Sequence, residues 1–87
     1  VQSHPKVPDQ EQLLSAGAAA QNLINAAFMM GLGAVWRTGD MTYDPLVEEA
    51  LGLASGEKLI GFLYIGTPAQ AVGQPPVRNP EDFLSYW

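Results

Sequence analysis

Eighty-seven residues allow at most one domain, spanning 1–87, and the absence of cysteine excludes a disulfide scaffold, a thiolate metal site and a cysteine nucleophile. Nine acids against four bases leave a net charge of -5, which argues against nucleic acid as a partner, because phosphate binding needs a basic surface. Apolar residues make up 47% and charged residues only 15%, too apolar for a free small chain with so much surface to cover, so a piece of something larger or one member of an intimate oligomer is expected. The start at Val1 rather than methionine points the same way.

Residues Val1 to Pro8 carry Pro5 and Pro8 and are expected to be extended, since proline disfavours helix in itself and in the residue before it. Asp9 is the expected cap of a helix over Gln10 to Met30, with Glu11 suiting its positive end and Gly31 and Gly33 closing it. At 1.5 Å per residue this rod is about 32 Å long, the diameter of a small domain, and so is expected to be central. Glu11, Gln12, Ser15, Gln21, Asn22 and Asn25 form its polar stripe, opposite Leu13, Ala16, Ala20, Leu23, Ile24, Ala27 and Phe28. That apolar arc spans roughly 200°, more than packing on one sheet requires, and the run Gly17-Ala18-Ala19-Ala20 invites close approach of another backbone. Gln12, Gln21, Asn22 and Asn25 argue against a membrane span, and a polar, acidic start argues against a secretory signal, so a cytoplasmic location is expected.

Leu32 to Trp36 reads as a brief strand, followed by the polar turn Arg37-Thr38-Gly39-Asp40. Asp44-Pro45 reads as N-cap and first helical position of a helix that passes Glu48 and Glu49 and stops at Gly52. Ala54 to Glu57 is a turn, and the almost wholly apolar Leu59 to Ile65 reads as a strand buried on both faces. Residues 67–87 form an arm whose proline-rich stretch ends at the cap Asn79-Pro80-Glu81-Asp82 and a short final turn. Two strands and two or three helices do not complete a covered sheet. The expected class is α+β, with a long central helix and strands of a mixed sheet completed by another chain or segment.

Little of the chain carries catalytic chemistry. His4 is the only histidine and has no second ligand for a metal, and none of the serines has a nucleophile-elbow context. Glu48 and Glu49 are adjacent on a helix and do not face each other, so they form a solvated face. Gly31-Leu32-Gly33 lacks the third glycine of a dinucleotide fingerprint and follows a helix rather than a strand. No catalytic residue and no metal site is assigned. The stretch Gly33 to Gly39 has a better claim, because a glycine-bounded turn at a strand end aims backbone N–H groups at an electron-rich ligand. Trp36 adds a flat apolar face and Arg37 an anion-binding fork; the competing reading is a plain turn with a core tryptophan.

Ala20-Gln21-Asn22-Leu23, Gly31-Leu32-Gly33, Trp36-Arg37-Thr38-Gly39 and the run Gly61-Phe62-Leu63-Tyr64-Ile65-Gly66-Thr67-Pro68 occur in order. Together they resemble the C-terminal half of the FMN-dependent NAD(P)H nitroreductases, in particular a small subgroup with a W-R-S/T-G loop. Lys6-Val7-Pro8, Glu11-Gln12 and Ser15-Ala16-Gly17 extend the resemblance over nearly the whole chain. It implies a nitroreductase-like fold with the long helix in a homodimer interface and FMN bound between subunits. It further implies hydride transfer from NAD(P)H through the flavin to a nitro compound or quinone. On this resemblance Trp36, Arg37, Thr38 and Gly39 lie at the flavin, Arg78 reaches its phosphate, and Ala26, Ala27, Phe28, Met29, Met30 and Gly31 contact the nicotinamide nucleotide. Relatives on the same fold include a dehalogenase and a flavin-cleaving enzyme, and a non-catalytic oligomerisation piece is the other alternative. The family's N-terminal half, which grips the FMN phosphate and supplies most of the sheet, is not part of this sequence.

Overall fold

The long helix α1 runs over Asp9–Met29 and packs across a two-stranded antiparallel sheet of β1 (Gly33–Arg37) and β2 (Phe62–Gly66). The computed structural model describes residues 1–71 and 73–87. A 3-10 turn over Asp40–Tyr43 and the short helix α2 (Pro45–Ala50) lie between the strands, and a second 3-10 turn, Pro80–Phe83, closes the chain.

The helix ends follow local chemistry. Helix α1 finishes with Gly31 at φ +79, the Gly31 N–H donating to Phe28 O at 3.0 Å and the Leu32 N–H to Ala27 O at 2.9 Å. Helix α2 ends the same way, with Gly52 at φ +75 and the Leu53 N–H donating to Glu48 O at 3.0 Å. These paired bonds satisfy carbonyls that a helix terminus leaves open, in the left-handed conformation that glycine adopts without a Cβ penalty. The expected caps at Asp44 and Asn79 are both present: Asp44 Oδ1 accepts from the Leu46 N–H at 2.9 Å, and Asn79 Oδ1 from the Glu81 N–H at 3.1 Å. Asp9 is not a cap. The helix starts one residue earlier than expected, Asp9 is its first residue, and Pro8 stands at the cap position without a side-chain bond. There Asp9 acts only through its charge beside the positive helix end.

Gln12 also departs from its expected place on a solvated stripe. It is half-buried, and its amide clasps the N-terminal segment: Oε1 accepts from the His4 N–H at 2.8 Å, while Nε2 donates to Val7 O at 2.6 Å and to His4 O at 3.2 Å. A primary amide carries both donor and acceptor, which suits it to hold the turn that residues 4–7 form in place of the expected extended stretch, closed by the Val7 N–H donating to His4 O at 3.2 Å.

The strands pair in one register, Gly33 with Gly66 and Trp36 with Leu63. Strand β1 is Gly33–Arg37 rather than Leu32–Trp36, and β2 is Phe62–Gly66 rather than Leu59–Ile65. Gly61, at φ +146, breaks the apolar run before it can pair. Burial differs as well: Phe62 and Leu63 are half-buried, while Tyr64 and Ile65 are exposed. Neither strand has a second neighbour among the described residues.

One stripe of α1 meets the sheet, with Ala20 and Ala27 buried and Leu13, Ala16, Gly17 and Ile24 half-buried. Leu14, Leu23 and Phe28 lie outside that stripe and are exposed. The radius of gyration is 16.8 Å, against about 12 Å for a compact domain of this length. The accessible surface is 7703 Å², about 2,700 Å² more than a compact monomer of this mass presents. No helix among the described residues is long and apolar enough to cross a membrane.

Candidate functional site

Strand β1 delivers the polar turn. Arg37 is its last residue, Thr38 and Gly39 follow, and all three are exposed. Gly39 has φ +108 and ψ -168, and open space lies where a side chain would stand. At Gly39 the turn therefore has no side chain between its backbone and its surroundings. Its inner side is anchored by the next element, in which the Thr42 N–H donates to Gly39 O at 3.0 Å. Thr42 is buried, and its hydroxyl has no partner among the described residues.

Trp36 points the other way. Its side chain is half-buried on the face turned toward α1, and Nε1 donates to Ile60 O at 3.1 Å. The indole tip lies over Gly17, where an added Cβ would come 3.5 Å from it. The indole thus belongs to the core, in keeping with the plain reading of that residue, and what Trp36 contributes at the turn is backbone. A ring in the core still matters there, because it holds the strand end against the helix.

The remaining candidates are dispersed. Ala26 to Gly31 occupy the last turn of α1 and its cap, next to the start of β1, while Trp36 to Gly39 lie at its other end. Five extended residues separate the groups by about 16 Å. Within one chain the two sets do not meet. Ala27 is moreover buried, whereas Phe28, Met29 and Met30 are exposed. Arg78 is exposed on the arm, immediately before the Asn79 cap. Among the described residues no group of three acidic or histidine side chains is placed to hold a metal ion.

Sequence reasoning missed Gly17 and Gly61 as the two glycines that receive the Trp36 indole. The only signal was indirect: Gly61 interrupts the apolar run Leu59 to Ile65, where a glycine in a strand pattern marks close backbone approach.

The model of the nitroreductase family matches residues 2–67, from the N-terminal segment to the end of β2. The chain belongs to the nitroreductase family. It is 42% identical over 83 residues to "Putative NAD(P)H nitroreductase YdjA" of Escherichia coli strain K12, covering 94% of this chain and 45% of that protein. It is 35% identical over 82 residues to "Putative NAD(P)H nitroreductase" of Haemophilus influenzae, with 93% and 45% covered. Among solved structures, a nitroreductase-like family protein from Bacillus cereus superposes with a TM-score of 0.82 at 28% identity, over 95% of this chain and 45% of that one. The nitroreductase fold is thereby shown, and the chain spans less than half the length of these relatives. That share accounts for a sheet of two strands and a long helix with one face packed.

Proposed function

We propose that this chain is the C-terminal half of an FMN-dependent NAD(P)H oxidoreductase that reduces a nitro compound or quinone in the cytoplasm. Its N-terminal half and a second copy complete the site. The observation that carries the reading is the turn at the end of β1, where Arg37, Thr38 and Gly39 are all exposed and Gly39 leaves open space. A flavin ring edge fits such a turn, because its nitrogen and oxygen atoms accept from N–H groups and Gly39 puts no side chain in the way.

FMN, when bound, would supply the redox chemistry that links NAD(P)H to the electron acceptor. The protein's part is placement and electrostatics. Backbone amides of Arg37, Thr38 and Gly39 favour the reduced ring by donating where negative charge grows. Arg37 adds an exposed guanidinium beside the same edge. Arg78, on the arm, suits the phosphate by two parallel hydrogen bonds. The end of α1, with Phe28, Met29 and Met30 exposed, offers an apolar surface for the nicotinamide nucleotide. Since that surface and the Arg37 turn lie at opposite ends of β1, a site using both draws them from two copies. The excess of exposed surface supports such an assembly, being in the range that obligate interfaces bury.

The test is the full-length protein purified without added flavin, then titrated with FMN. A yellow protein with a flavin absorbance band, bleached by NAD(P)H and restored by a nitroaromatic or quinone, is the expected result. A colourless protein that takes up no FMN refutes the reading and leaves an interface piece.

A further inference from the structure

Gly61 stands where three elements converge. The carbonyl of Ile60, one residue before it, accepts from Trp36 Nε1 at 3.1 Å. A Cβ on Gly61 would lie 2.1 Å from that Nε1, 2.7 Å from Cδ1 and 2.9 Å from the carbonyl oxygen of Arg37. The φ of +146 adds a second demand for glycine at the same place. On the far side, the tip of the same indole rests over Gly17 of α1. The indole is therefore held at both ends by glycines, and the backbone of residue 61 closes against both the ring and the first carbonyl of the turn.

We infer that Gly61 is a positioning residue for the Arg37–Gly39 turn. Without a Cβ, it lets its own backbone seat on the Trp36 indole and on the Arg37 carbonyl. Those two contacts fix where β1 ends and the direction in which the amides of the turn leave it. Gly61 touches no ligand; it acts through Trp36 and Arg37. Its effect on flavin affinity rests on the function proposed above, whereas the placement of the turn does not. Each amide hydrogen bond lost weakens a bound group by roughly two- to thirteenfold, so a shift that breaks two of them is measurable.

The experiment uses Gly61→Ala in the full-length protein with two readouts. One is FMN affinity. The other is limited trypsin digestion, comparing cleavage after Arg37, inside the turn, with cleavage after Arg78 on the arm. Expected are FMN binding weaker by about 10- to 100-fold, the loss of about two amide hydrogen bonds, and a raised ratio of the Arg37 cut to the Arg78 cut, because only the turn is loosened. Unchanged affinity with an unchanged ratio overturns the inference, as does equal acceleration of both cuts, which reports general unfolding. A wild-type protein that binds no FMN refutes the flavin reading, while a raised ratio in Gly61→Ala still supports the positioning role. Should Gly61→Ala not accumulate in folded form, Trp36→Phe decides. Phenylalanine lacks Nε1 and so loses the bond to Ile60 O that ties the indole to the backbone before residue 61, with no methyl added. A raised ratio of the Arg37 cut to the Arg78 cut in Trp36→Phe supports the anchoring of the turn at residue 61, and an unchanged ratio overturns it.

Discussion

Leu23→Ala in the full-length protein tests whether the outer side of α1 is covered. Within this chain Leu23 is 55% exposed. If that exposure persisted in the whole protein, truncation would remove few contacts and cost about 1 kcal/mol or less, close to the range of surface substitutions. If the missing half or a second copy packs there, Leu23 becomes a core residue, and Leu→Ala costs about 2–5 kcal/mol from lost transfer and the cavity left behind. The surface supports the second value, since the chain presents about 2,700 Å² more than a compact monomer of its mass. The expected loss is therefore at least about 2 kcal/mol, near a thirtyfold change in the folded-to-unfolded ratio. Urea titration at two protein concentrations measures it. A variant that also dissociates to monomer more readily in sedimentation assigns the cover to a second copy; an unchanged association with the same loss of stability assigns it to the N-terminal half. A change within about 0.5 kcal/mol at both concentrations would refute the reasoning.

Thr38→Ala keeps its backbone amide and should leave FMN affinity within about tenfold, whereas Thr38→Pro removes the donor and should bind clearly more weakly; equal affinities contradict a backbone role. Arg78→Ala should weaken FMN by about 1.5–3 kcal/mol, the range for a hydrogen bond to a charged group, and leave riboflavin, which has no phosphate, unaffected. Equal loss of both ligands in a titration would assign Arg78 to docking the arm instead. Asp44→Ala removes the acceptor for the Leu46 N–H and should cost about 0.5–2 kcal/mol of stability in a denaturation curve. Because α2 lies beyond the Arg37 turn, the same variant is expected to bind FMN as the wild type does.

Local chemistry was legible in the sequence. The long helix, the Asp44 and Asn79 caps and the glycine stops at Gly31 and Gly52 depend on hydrogen bonds a few residues apart, so residue type and spacing suffice to place them. Composition carried a further fact: a chain with 47% apolar and 15% charged residues does not cover its own core. The resemblance to the nitroreductases lay in four short motifs, and their order was sufficient. Three decisions needed the tertiary structure. Which way Trp36 faces depends on Gly17, nineteen positions before it, and Gly61, twenty-five after it, and no local rule links them. The late start of β2 follows from the indole and the Arg37 carbonyl crowding residue 61, since the apolar run Leu59 to Ile65 would by itself extend as a strand from its first residue. Gln12 looked solvated because helical spacing placed it on the polar side of α1. It is half-buried because the turn over residues 4–7 folds back over it and needs its amide for the backbone groups the turn leaves open.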